Sequence, residues 1–176
     1  MAYAVLTVQW TLAGVFLVSA AAKARAFRDT SAMVEQLLAR VARSAARRLT
    51  RPAALLLVSA EAATGLALLG VRQTARPGLV AALVLTAGFT VLAVLATVSR
   101  TEVSCACFGR PTARLGRRHV VRNAFLLALA CLGCWGPAAA GVPGAAAPAL
   151  TICATAAVVV TVVTALYDDI VELLKP

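Results

Sequence analysis

Three stretches of this chain carry no charge over lengths that water-soluble folds rarely tolerate. Residues 1–22 contain no Asp, Glu, Lys or Arg, nor do residues 78–98, and residues 123–167 extend the pattern to 45 positions. At about 1.5 Å per residue, roughly 20 apolar residues cross the hydrocarbon layer of a bilayer. The first two runs each fit one crossing and the third fits two. Gly136, Pro137, Pro143, Gly144 and Pro148 supply turn residues in the middle of the third. A fourth apolar stretch, about 52–71, is interrupted only by Glu61. Apolar residues form 61% of the 176-residue chain and charged residues 14%. A chain this short cannot hide that much apolar surface in one aqueous core. An ordinary soluble enzyme and a disordered chain are thereby excluded. The expected fold is all-α, a polytopic transmembrane helix bundle.

The spans are expected at about 3–22, 52–71, 78–98, 120–139 and 149–167. Pro52 suits a helix start, where its missing N–H is not needed. A cleaved signal peptide competes for the first stretch, but no Lys or Arg precedes it and it is long for such a segment. Tyr3, Trp135 and Tyr167 fall near span ends, where amphipathic rings sit at the interface. The net charge of +10 then reads as topology rather than as nucleic-acid binding. Loops 23–51 and 99–122 and the C-terminus hold fifteen Lys and Arg, whereas the opposite side holds only Arg72 and Arg76. Basic loops stay in the cytoplasm. The expected product is a multi-pass cell-membrane protein with its N-terminus outside and its C-terminus inside.

Within the first basic loop, residues 30–50 repeat Val34, Leu37, Leu38, Val41, Ala45 and Leu49 at three- and four-residue steps, with Arg40, Arg43, Arg47 and Arg48 between them. The pattern predicts an amphipathic helix. It either lies on the membrane surface with its arginines toward anionic headgroups, or packs on the bundle as a solvated helix.

The second basic loop carries Cys105-Ala106-Cys107-Phe108-Gly109. A disulfide between thiols one residue apart closes a very small, strained ring, and strained bridges are labile. Arg110, Arg114, Arg117, Arg118 and His119 follow closely, and cationic neighbours favour thiolate. Redox chemistry by Cys105 and Cys107 is weighed against two small apolar side chains in a loop, and against a zinc site for which the single His supplies little support. Cys131 and Cys134 form a second pair on one face of the fourth span, about 13 and 18 Å along the helix from Arg122. They read as small packing residues more readily than as an electron relay. Glu61 lies near mid-membrane, where a carboxylate costs about 2.5–3.5 kcal/mol on insertion scales. It is either a proton site or a protonated structural residue bonded to Gln9 or a Thr hydroxyl. Lys23 is expected to snorkel to the interface, and Asn123 to cap the fourth span or hold the preceding loop. No phosphate loop, hydrolase triad or haem-attachment motif is visible, and no cofactor is expected.

These residues resemble a known family. Ser19-Ala20-Ala21-Ala22-Lys23 is similar to the Ser-Gly-x-x-Lys signature of DoxX-like membrane proteins, with Ala20 in place of glycine. Glu61-Ala62-Ala63-Thr64-Gly65-Leu66-Ala67-Leu68-Leu69 resembles their Glu-x-x-x-Gly-x-x-Leu-Leu stretch. Cys105-Ala106-Cys107-Phe108-Gly109, with Arg122-Asn123 opening a helix, is similar to the Cys-Gly-Cys-Phe-Gly…Arg-Asn pattern of the methylamine-utilisation MauE family, Ala106 replacing the middle glycine. The resemblance spans residues 1–135. It implies a DoxX-like four-helix core, with 136–176 adding an outer loop, the fifth span and a short tail.

The resemblance also implies thiol–disulfide redox, or maturation or export of a client, with a thioredoxin-like partner. In the namesake system the client is the methylamine dehydrogenase small subunit. A client outside the cell calls for thiols outside, whereas the charge count sets Cys105 and Cys107 inside. The pair is then reached within the bilayer, or electrons cross the membrane, or the topology is reversed. A non-catalytic chaperone or scaffold subunit and a Glu61-centred solute or proton carrier are the alternatives. A bundle this rich in Ala and Gly could also pair with copies of itself or with partners.

Overall fold

The computed structural model describes residues 2–41, 46–70, 72–98, 117–136 and 147–173. They form six helices: α1 (Ala2–Arg25), α2 (Phe27–Val41), α3 (Ala46–Leu69), α4 (Arg72–Val98), α5 (Arg117–Trp135) and α6 (Ala147–Leu173). No strand occurs among the described residues. Four of the helices contain segments long and apolar enough to cross a membrane: Ala2–Arg25, Ala46–Leu69, Gln73–Val98 and Ala147–Tyr167. The sequence suggested five. The exception is α5, whose 19 residues include Arg117, Arg118 and Arg122 in the first two turns.

Central α1 packs against α3, α5 and α6. The core joins Leu12, Ala13 and Phe16 of α1 to Leu68 of α3, Leu79 and Ala82 of α4, and Leu126 and Ala130 of α5. Lipid tails are as apolar as leucine, so close packing rather than water exclusion holds such helices together. Small residues set the distance. A Cβ on Gly65 would lie 2.7 Å from Leu17 Cγ and 3.1 Å from the Ala13 carbonyl oxygen. Only glycine lets α3 come this close to α1.

The contacts fix helix directions. Gln9 of α1 donates to the Leu68 carbonyl near the end of α3 at 2.5 Å, so these helices run antiparallel. Gly133 near the end of α5 lies against Leu79 near the start of α4, which makes that pair antiparallel too. By contrast, Cys153 Sγ donates to the Tyr3 carbonyl at 3.7 Å and Thr161 Oγ1 to the Thr11 carbonyl at 3.3 Å. Helix α6 is therefore parallel to α1. One end of the bundle holds the start of α1 and the starts of α4 and α6. The other, the basic end, holds the end of α1, the starts of α3 and α5, and α2.

Three local expectations change. Pro52 lies inside α3, in its second turn, because the helix begins six residues earlier at Ala46. Pro52 lies beyond the first turn, whose N–H groups have no helical partner anyway, so it leaves the carbonyl four residues back without its usual backbone donor. The amphipathic helix is described over Phe27–Val41, and Leu49, expected on its apolar stripe, lies in α3, where it is exposed. The apolar face of α2 packs on the bundle: Met33 and Val34 are buried against Ala54, with Leu37, Leu38 and Leu57 around them. Finally, α5 starts at Arg117, so Asn123 sits one and a half turns inside the helix rather than at its cap.

Candidate functional site

Near the basic end, α1 and α3 enclose an ion pair. Lys23 Nζ donates to Glu61 Oε1 at 2.6 Å and to Oε2 at 2.9 Å, and to Ser19 Oγ at 2.6 Å. Lys23 is 1% exposed and Glu61 0%. Helix geometry explains the set: residues 19 and 23 are one turn apart and share a face. Antiparallel α3 presents Glu61 to that face, and Gly65 one turn further along permits the approach.

Lys23 thus turns inward instead of snorkelling to the interface. An ammonium with three protons to donate finds three acceptors here, and a carboxylate directly opposite outweighs the short route to solvent. Glu61 is likewise bonded to neither Gln9 nor a threonine. Gln9 is taken up by the Leu68 carbonyl, and Thr64 donates to the Ala60 carbonyl at 2.7 Å.

The surroundings of the pair are mostly apolar and partly cationic. Lys23 Nζ lies 5.2 Å from the centroid of the Phe89 ring on α4, within reach of a cation–π attraction. Arg122 of α5, 5% exposed, is near enough for its charge to act on Lys23. Thr30 of α2 donates to the Lys23 carbonyl at 3.2 Å, tying the turn between α1 and α2 to the site.

Beside the pair lies a cavity of about 630 Å³ between α2, α3, α4 and α5. Ala60, Phe89, His119, Arg122 and Asn123 are among the residues lining it. The structure therefore gathers Lys23, Glu61, Arg122 and Asn123 in one region. Phe89 and His119 join them. Phe89 stood in a charge-free run that gave it no distinguishing signal, and His119 read only as part of a basic loop.

Cys105, Cys107, Phe108 and Gly109 lie outside the described residues. Their loop joins Val98, at the end of α4, to Arg117, at the start of α5, both at the basic end. Cys131 and Cys134 sit on α5 toward the opposite end, both with free thiols, Cys131 half-buried and Cys134 exposed. Cys153 on α6 is a buried free thiol. Among the described residues, no group of three or more His, Cys, Asp or Glu gathers that could hold a metal ion.

The family model for Methylamine utilisation protein MauE matches residues 1–136. The match takes in α1 to α5, the Lys23–Glu61 pair and the loop with Cys105 and Cys107. No curated protein and no solved structure matches the chain.

Proposed function

The chain belongs to the MauE family, and from that premise we propose that it supports thiol–disulfide exchange in the maturation or export of a client protein, through Cys105 and Cys107. Its apolar helices make it a multi-pass membrane protein. The observation that carries the redox reading is the antiparallel α4–α5 pair. It anchors both ends of the Cys-x-Cys loop at the basic end, near Arg122, His119 and the Lys23–Glu61 pair. Cationic neighbours favour the thiolate that attacks a disulfide.

The exchange balances without a cofactor. One thiolate attacks a disulfide of a thioredoxin-like partner and forms a mixed disulfide. The second displaces the partner's sulfur, leaving Cys105–Cys107 oxidised and the partner as a dithiol. Run in reverse, the same steps reduce the pair. The partner class comes from the family resemblance, as does the exported client, which in the namesake system is the methylamine dehydrogenase small subunit.

The proposed topology has five crossings, the N-terminus outside the cell membrane and the C-terminus inside. Helix directions support α5 as a crossing. Since α6 is parallel to α1, a chain leaving α4 at the basic end must return to the opposite end before α6 begins, and α5 makes that return. Basic residues support the orientation. Arg25, Arg28, Arg47, Arg48, Arg117 and Arg118 all belong to the same end, which the positive-inside rule assigns to the cytoplasm.

The test is thiol trapping in intact cells. With Cys131, Cys134 and Cys153 replaced by Ala, alkylation before and after reductant should reveal two thiols that cycle, and the C105S/C107S variant should lose client maturation. Unchanged modification together with full maturation in that variant defeats the redox reading. That outcome leaves a scaffold role, which the buried, fully engaged ion pair independently favours because it fixes helices rather than exposing a reactive group.

A further inference from the structure

The cavity beside the ion pair has the chemistry of an amphiphile site. Its walls are leucines and other apolar groups, including Met33, Leu37, Leu57, Leu85 and Phe89, contributed by α2, α3 and α4. Arg40 of α2 and Arg122, His119 and Asn123 of α5 also line it, and no carboxylate is among its described lining residues. The rim residues Leu56, Leu92 and Leu95 are exposed, so the cavity opens on the flank of the bundle, where lipid lies. It sits where α4 ends and α5 begins, at the level of an interface. A void of about 630 Å³ is in the size range of small-molecule sites, and its walls offer water few of the polar partners it needs.

We propose that this cavity binds one anionic phospholipid from the leaflet at the basic end, with an acyl chain between α2, α3 and α4 and the headgroup at Arg40 and Arg122. Charge complementarity selects the occupant. Basic pockets between membrane helices on the cytoplasmic side suit anionic headgroups, while an apolar slot alone accepts any lipid tail. The site gives α2 a purpose beyond packing, as the cover of a lipid slot whose own Arg40 meets the headgroup. No cysteine is among the described residues lining it.

Native mass spectrometry of the purified full-length protein tests this with phosphatidylglycerol and phosphatidylcholine of identical chains. Phosphatidylglycerol should be retained preferentially as a single adduct. R40Q, at an exposed position, should weaken its retention about fivefold, the weight of one arginine near an anionic surface. L57W should fill the slot and abolish retention of both lipids with helicity by circular dichroism intact. Equal retention of the two lipids overturns the proposal, as does wild-type phosphatidylglycerol binding by R40Q. An oleate arm separates the other source of the same chemistry: saturable oleate binding without phosphatidylglycerol binding also overturns it. R40Q keeps the proposal falsifiable even where L57W does not fold.

Discussion

Replacing Glu61 by Gln preserves side-chain volume and removes one charge from a site that has almost no contact with solvent. In the native protein Lys23 spends its three protons on two carboxylate oxygens and Ser19 Oγ, at 2.6, 2.9 and 2.6 Å. In E61Q an amide oxygen can take one of these protons, but the ammonium loses its counter-charge while Arg122 still acts on it. Breaking a buried pair by removing one partner costs about 3–5 kcal/mol, because the remaining charge is left uncompensated. Lys23→Met should fall in the same range, since it leaves the carboxylate buried without its cation. Removing both charges is different. K23M/E61L replaces the pair with apolar groups of similar bulk, a change that is often neutral or stabilising. The double variant should therefore be more stable than either single one. Equilibrium unfolding in mixed micelles, followed by circular dichroism, gives all four corners of the cycle. Additive losses, with the double variant the least stable, would refute the claim that the two residues act as a pair.

Further expectations follow from the contacts within the bundle. Gly65→Ala sets a methyl group 3.1 Å from a backbone oxygen of α1 and should cost about 1–3 kcal/mol by overpacking, read as a lowered midpoint in the same unfolding assay. Ser19→Ala withdraws an acceptor from a buried ammonium and should cost about 1.5–3 kcal/mol, the usual worth of a hydrogen bond to a charged group. An unchanged midpoint would show that Ser19 contributes nothing to holding Lys23. Cys134→Ala, at an exposed free thiol, should shift stability by no more than about 0.5 kcal/mol. Intact-mass thiol counting of the untreated wild-type protein should show Cys131 and Cys134 unbridged.

The sequence made the membrane character legible because charge is excluded from hydrocarbon, and the gaps between charges mark helices almost directly. It was less informative wherever two elements share a position. Pro52 looked like a helix opener, but α3 recruits Ala46–Arg51 ahead of it and carries the proline in its second turn. The stripe through Leu49 looked continuous with α2, but Leu49 lies in α3. Arg122 and Asn123 read as the edge of a span. In the fold they lie inside α5 because that helix begins among its arginines, which is also why α5 falls short of the apolar length of the other four.

The two short signatures at Lys23 and Glu61 show where linear reading stops. Each is weak alone: a lysine ending an apolar run reads as an anchor, and a glutamate within one reads as an isolated, costly charge. Their meaning depends on a crossing that no spacing encodes, with α1 and α3 antiparallel and Gly65 bringing them close enough for side chains 38 positions apart to meet. Once joined, each residue removes the reason for the other's expected behaviour. Lys23 has no need of the interface, and both Glu61 oxygens have a donor within the bundle. The neighbouring Arg122 sharpens the dependence. Lys23 without Glu61 faces desolvation first and a smaller repulsion from Arg122 after it, so the carboxylate is what keeps this lysine inside the bundle.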